Sequence, residues 1–117
     1  MLRLTHAEIK TLIRIRWYLE DSRNYPIHIP DLPELFSIEE NKLLRGFKRL
    51  FKVSIHRYYL RQSMLHAKQL IQDGAMIKEA AIVQGYSNTA NFSRAYKRFF
   101  GYYPSTIDCG NNAGNGQ

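Results

Sequence analysis

Two stretches of this 117-residue chain carry the side chains best suited to chemistry. From Lys42 to Arg61 there are seven Lys or Arg residues and no Asp or Glu. At about 100° per residue, Asn41, Arg45, Lys48 and Lys52 share one narrow stripe of a helix. Leu43, Phe47, Leu50 and Phe51 fall on the opposite side. Further on, Phe92, Tyr96, Phe99 and Phe100 form an apolar side, Ala90, Arg94 and Lys97 lie opposite, and Asn91 and Arg98 sit on the flank. Most charged helix faces are simply solvated. The lack of balancing carboxylates shifts the first stretch towards a surface that meets phosphates. The chemistry implied is recognition of a polyanion. Ammonium and guanidinium groups take phosphate oxygens, and Arg can also read the edge of a base.

Other chemistries find little support. The four histidines, His6, His28, His56 and His66, have no metal-ligand spacing, and no Gly-rich phosphate loop occurs. Cys109 is the single cysteine, so neither an internal disulfide nor a thiolate metal site is available. The chain therefore reads as a binding protein and not an enzyme, with no cofactor and no metal. With 17 Lys plus Arg against 10 Asp plus Glu, the net charge is +7, which favours nucleic acid first and a membrane surface second. No apolar run reaches the roughly 18 residues of a membrane helix, and the N-terminus lacks a signal-peptide stretch. A reducing, cytoplasmic setting is the expectation.

The elements that must position these residues are helices. No proline interrupts residues 34–103, and only Gly46, Gly74, Gly85 and Gly101 stand there as breakers. Thr5 and Glu8 have capping-box spacing, which opens a first helix with an Ile9, Leu12, Ile13 and Leu19 stripe that should stop near Arg23. A short helix is expected around Asp31 to Phe36, with Pro33 in its first turn. The helix of residues 40–51 follows. A longer helix should run from about Ser54 to Asp73, with Leu60, Met64, Ala67 and Ile71 as its buried stripe. Its length of roughly 30 Å is close to one turn of B-DNA, about 34 Å. After Gly74 a second short helix runs from Ile77 to about Gln84 and stops at Gly85. Ser87 or Asn88 caps the last helix, which reaches about Phe100. A short helix, a tight turn and a helix with an aromatic inner and a basic outer side make a helix-turn-helix, and the pattern occurs twice. Ala81 is small enough to let the second pair cross closely. Residues 109–117 lack apolar anchors and read as a disordered tail.

The run Gly85-Tyr-Ser-Asn-Thr-Ala-Asn-Phe-Ser-Arg-Ala-Tyr-Lys-Arg-Phe-Phe-Gly-Tyr-Tyr-Pro-Ser105 resembles the signature of AraC/XylS-type transcription regulators. Lys42 to Phe51 resembles that family's first recognition helix, and Tyr58, Met64, Ala67, Leu70 and Ile71 resemble its linker helix. The likeness covers roughly residues 28–107. It implies an all-α domain, 1–108, of about seven helices, with two helix-turn-helix units (about 29–52 and 77–101) joined by one long helix (about 54–73). It also implies sequence-specific binding to double-stranded promoter DNA, in the usual case to activate transcription, with the two recognition helices in successive major-groove segments. By motif position, Asn41, Leu44 and Arg45 would face bases in the first unit, and Thr89, Ala90, Ser93 and Arg94 in the second. Lys48, Arg49, Lys97 and Arg98 would meet phosphates.

Several residues depart from the family pattern. Pro33 stands for an alanine, Ser37 and Lys52 for glycines, Glu39 for a serine cap, Ser63 for an arginine and Ala80 for a larger aliphatic. Most lie in the N-terminal half, where Glu39 and Glu40 also repel phosphate. Further expectations are RNA polymerase as a partner, no membrane, a nucleoid-associated location and, because the two reading helices differ, a monomer for this piece. Family members usually add an effector or dimerisation domain. The chain is thus expected to be an excised DNA-binding domain or a minimal stand-alone regulator. The competing reading from charge alone is a sequence-nonspecific nucleic-acid-binding or chromosome-associated protein.

Overall fold

The computed structural model describes residues 2–107; Cys109 and the tail expected at 109–117 lie outside them. Among the described residues there are six α-helices, three short 3₁₀ turns and no strand. The helices are α1 (His6–Glu20), α2 (Leu32–Leu35), α3 (Glu40–Phe51), α4 (Ile55–Gln72), α5 (Ile77–Val83) and α6 (Thr89–Phe100). The chain divides between Gln62 and Ser63 into two compact units. None of the helices is long and apolar enough to cross a membrane.

In the first unit, α1 opens at the expected capping box. Glu8 N donates to Thr5 Oγ1 at 3.1 Å, and Thr5 N donates to Glu8 Oε1 at 2.8 Å. The helix ends at Glu20, three residues before the Arg23 expected from periodicity. There the Asp21 carboxylate accepts from Arg23 N at 3.0 Å and starts a 3₁₀ turn, Ser22–Asn24. A short acidic side chain that bonds nearby backbone competes with helix continuation. The buried stripe of α1 is Leu12, Ile15 and Leu19. Ile9 and Ile13, expected in that stripe, are only partly buried, and Ile15 takes the central place. These three pack with Leu32, Leu43, Phe47 and Ile55 as one apolar core.

Gly46 does not break α3; it lies buried inside it. A Cβ built there would meet Leu12 Cδ1 at 2.9 Å and Leu4 Cδ2 at 3.2 Å, so the glycine lets α3 approach α1 closely. Pro33 falls in the first turn of α2, where no backbone N–H is missed. Helix α3 stops at Lys52, which adopts the left-handed conformation at φ 65°. Ser37, before α3, does the same at φ 53°. Both are positions where the resemblance leads one to expect glycine.

In the second unit, Met64, Ala67 and Ile71 of α4 join Ala80, Ala81, Phe92 and Tyr96 in a separate core. Ala80 and Ala81 are both buried, which fits the close crossing of α5 and α6. Leu60, expected in the α4 stripe, is 37% exposed. Ile55 serves the first core, with Tyr58 and Tyr59 packed on it, and Met64 begins the second. In sequence Leu60 falls between these two sets, and it is in neither core. Gly85 carries φ 86° after α5, the left-handed stop that a residue with a Cβ resists.

Candidate nucleic-acid interface

Helix α3 owes its two-sidedness to its sequence. Leu43 and Phe47 are fully buried, and Asn41, Arg45, Lys48, Arg49 and Lys52 are exposed. Leu44, placed towards bases by motif position, is half-buried and packs against the core. Two of the basic residues are held by the rest of the first unit. Lys42 Nζ donates to Glu8 Oε2 at 2.8 Å, which ties α3 to the α1 capping box. That ammonium holds the Glu8 carboxyl below its usual range. Arg49 Nη1 donates to the Leu2 carbonyl at 3.0 Å. The helix N-terminus is poorly finished, because Glu39 at the N-cap makes no side-chain cap bond and Glu40 follows in the first turn.

Helix α6 is better finished. Asn88 is the N-cap, and its Oδ1 accepts from Asn91 N at 2.8 Å. Phe92 and Tyr96 are fully buried, while Thr89, Ala90, Arg94, Lys97 and Arg98 are exposed and Ser93 is partly buried. From Ala80 to Ile107 there is no Asp or Glu, so the cationic face of α6 has no local counter-charge from its own sequence neighbourhood. Lys97 Nζ lies 4.8 Å from the centroid of the Tyr103 ring, a cation–π contact that gathers the two side chains at the helix C-terminal end. Arg94 Nη2 donates to Asn91 Oδ1. Sequence reasoning left Asn91 on the flank of the helix. The three-residue spacing of Asn91 and Arg94 was the available signal.

Each unit thus brings its own set of expected contact residues onto one exposed face. Asn41, Arg45, Lys48 and Arg49 are exposed in the first; Thr89, Ala90, Arg94, Lys97 and Arg98 are exposed in the second. Two of the four histidines make polar contacts away from these faces. His28 Nδ1 is 3.7 Å from Asp31 Oδ2, and His66 Nδ1 is 2.9 Å from Gln84 Nε2. Among the described residues, no three His, Cys, Asp or Glu side chains gather as a metal site would need.

A capped helix with a buried aromatic side and an exposed basic side, preceded by a short helix and a tight turn, defines a helix-turn-helix domain. Residues 33–108 match a family described as a helix-turn-helix domain. The chain is 32% identical over 87 residues to the HTH-type transcriptional regulator GbdR of Pseudomonas aeruginosa, covering 74% of this chain and 24% of that regulator. It therefore spans about a quarter of the length of that relative. A probable AraC family transcriptional regulator from Rhodopseudomonas palustris superimposes with a TM-score of 0.64 at 30% identity, covering 81% of this chain and 91% of that one. The C-terminal domain of AraT, a response regulator from Geobacillus stearothermophilus, shares the fold at a TM-score of 0.69 and 21% identity, covering 91% of this chain and 86% of that one. The chain belongs to the AraC-type helix-turn-helix family.

Proposed function

We propose that this chain binds a specific duplex DNA sequence through α3 and α6 and thereby regulates transcription, with activation as the outcome. The observation that carries the reading is α6 itself: a capped helix, anchored by fully buried Phe92 and Tyr96, that exposes Arg94, Lys97 and Arg98 with no acidic residue from Ala80 to Ile107. Such a face meets phosphates at its edges and bases at its centre. Asn41 and Arg45 of α3, and Thr89, Ala90, Ser93 and Arg94 of α6, are the base-reading set. Leu44 joins them through its exposed part. Lys48, Arg49, Lys97 and Arg98 neutralise phosphates. Activation adds RNA polymerase as a protein partner, and the site of action is the bacterial nucleoid. Nothing in this reading calls on a cofactor or a catalytic group.

The test is selection of duplexes from a random pool, followed by competition between the selected site and random DNA. A regulator should prefer its site by roughly 10³-fold or more. Arg94→Ala, and Arg45→Ala likewise, should lose about 1–3 kcal/mol of discrimination, more than they lose of total affinity. Removal of Lys97 or Lys48 should weaken all sequences about evenly and lower the salt slope by about 1. Equal binding to selected and random DNA would replace this reading by a sequence-nonspecific chromosome-associated role.

A further inference from the structure

Asn91 stands one turn ahead of Arg94 on the exposed side of α6. Its backbone N–H donates to Asn88 Oδ1 at 2.8 Å and so completes the helix cap. Its side chain is committed elsewhere. Asn91 Nδ2 reaches Ser87 Oγ at 3.4 Å, and Asn91 Oδ1 accepts from Arg94 Nη2. Asn91 and Arg94, three positions apart, meet on one face of α6, and Ser87, in the turn just ahead of the Asn88 cap, joins them in a single hydrogen-bonded row. The two contacts also orient the amide, with its NH₂ towards the Ser87 hydroxyl and its oxygen towards the guanidinium.

We propose that Asn91 is a positioning residue that holds the Arg94 guanidinium ready for base recognition. The inference rests on the base-reading role of Arg94 given above. An exposed arginine samples many rotamers and loses them when it docks, and a side chain already held in place loses less. Helical side chains lean towards the helix N-terminus, which draws the Arg94 guanidinium towards the first turn of α6. That turn is the part of a recognition helix that enters the groove. Asn91 occupies one of the five guanidinium N–H donors. The others remain for the O6 and N7 of a guanine. A neutral amide oxygen achieves this without cancelling the charge, which a carboxylate at the same place would do. Ser87 in turn keeps the amide from rotating away.

The experiment is a double-mutant cycle on selected DNA and on the same duplex altered at the base pair whose preference Arg94→Ala erases. Parent, Asn91→Ala, Arg94→Ala and the double variant are compared. Asn91→Ala should lower discrimination at that base pair roughly 3- to 10-fold, and should cause no further loss once Arg94 is gone. Its melting temperature should stay at the parent value, because the cap bond uses backbone N–H. Asn91→Asp keeps the acceptor oxygen and should keep the discrimination while total affinity falls. If the loss caused by Asn91→Ala persists undiminished in the Arg94→Ala background, or appears at a different base pair, Asn91 reads a base itself and the positioning role is wrong. If Arg94→Ala leaves every base preference intact, the base-reading role fails first, and the positioning role falls with it.

Discussion

At the scale of single residues, Lys52 shows how a local conformation and a side chain can disagree. It closes α3 with φ 65° and ψ 18°. In that region an L-residue sets its Cβ against the following carbonyl oxygen, at a cost of about 1–2 kcal/mol. Glycine escapes that cost but leaves the unfolded chain freer, which takes back about 0.4–1 kcal/mol. Lys52→Gly should therefore stabilise the first unit by about 0.5–1 kcal/mol, read as a higher urea midpoint at unchanged slope. Lys52→Ala, which keeps the Cβ, should give no such gain. An equal gain in both variants would trace the effect to loss of charge beside Lys48 and Arg49 rather than to the backbone. The lysine that sits there adds a cation at the end of the proposed DNA-facing stripe. Stability given up for charge at a contact surface is a known trade.

At the scale of elements, the contact between α4 and the end of α5 carries a pH dependence. His66 Nδ1 and Gln84 Nε2 are 2.9 Å apart, and Gln84 is buried. Burial pushes the His66 imidazole below its usual value. A folded state that resists protonation loses stability wherever the unfolded chain takes up the proton first. Stability of the second unit should thus be complete above about pH 6.5, decline as pH falls from there, and level off below the folded-state value. Thermal midpoints followed from about pH 7.5 to 5.5 should show the decline, and His66→Gln should flatten it. A decline that survives His66→Gln would assign the titration to another group.

The helices themselves were legible in the sequence wherever one side chain pattern served one core. The two faces of α3 and α6, the Thr5 capping box and the stop at Gly85 all follow from spacing and residue type. Leu60 was not legible, because α4 feeds two cores in succession and periodicity does not say where one stripe ends and the next begins. The end of α1 was missed because a single carboxylate, Asp21, competes for backbone N–H groups that the hydrophobic pattern ignores. At the candidate site, the exposed cations were readable from the helix stripe. The engagement of Lys42 by Glu8 and of Arg49 by the Leu2 carbonyl was not, since both partners are more than thirty residues away in sequence.

At the scale of the whole molecule, the two proposed reading faces are unlike. Asn41, Leu44 and Arg45 stand in one, and Thr89, Ala90, Ser93 and Arg94 in the other. A symmetric dimer binds a palindrome because operator symmetry mirrors protein symmetry. One chain with two different faces should instead cover two unlike half-sites. The faces also differ in finish. Helix α6 has a bonded Asn88 cap and an Arg94 held by Asn91. Helix α3 starts at Glu39, whose side chain makes no cap bond, with Glu40 in its first turn, and its Leu44 is half-buried. Carboxylates at a helix N-terminus that must approach phosphate reduce the pull of the very end that should enter the groove. Base preference should therefore be sharper in the half-site read by residues 88–100 than in the one read by residues 40–51. Stoichiometry by analytical ultracentrifugation, with information content from the selected pool, measures both expectations. One chain per duplex and an asymmetric site would agree with them. Two chains on a palindrome with equal information in both halves would mean that a single face does the reading and that the other serves a different purpose.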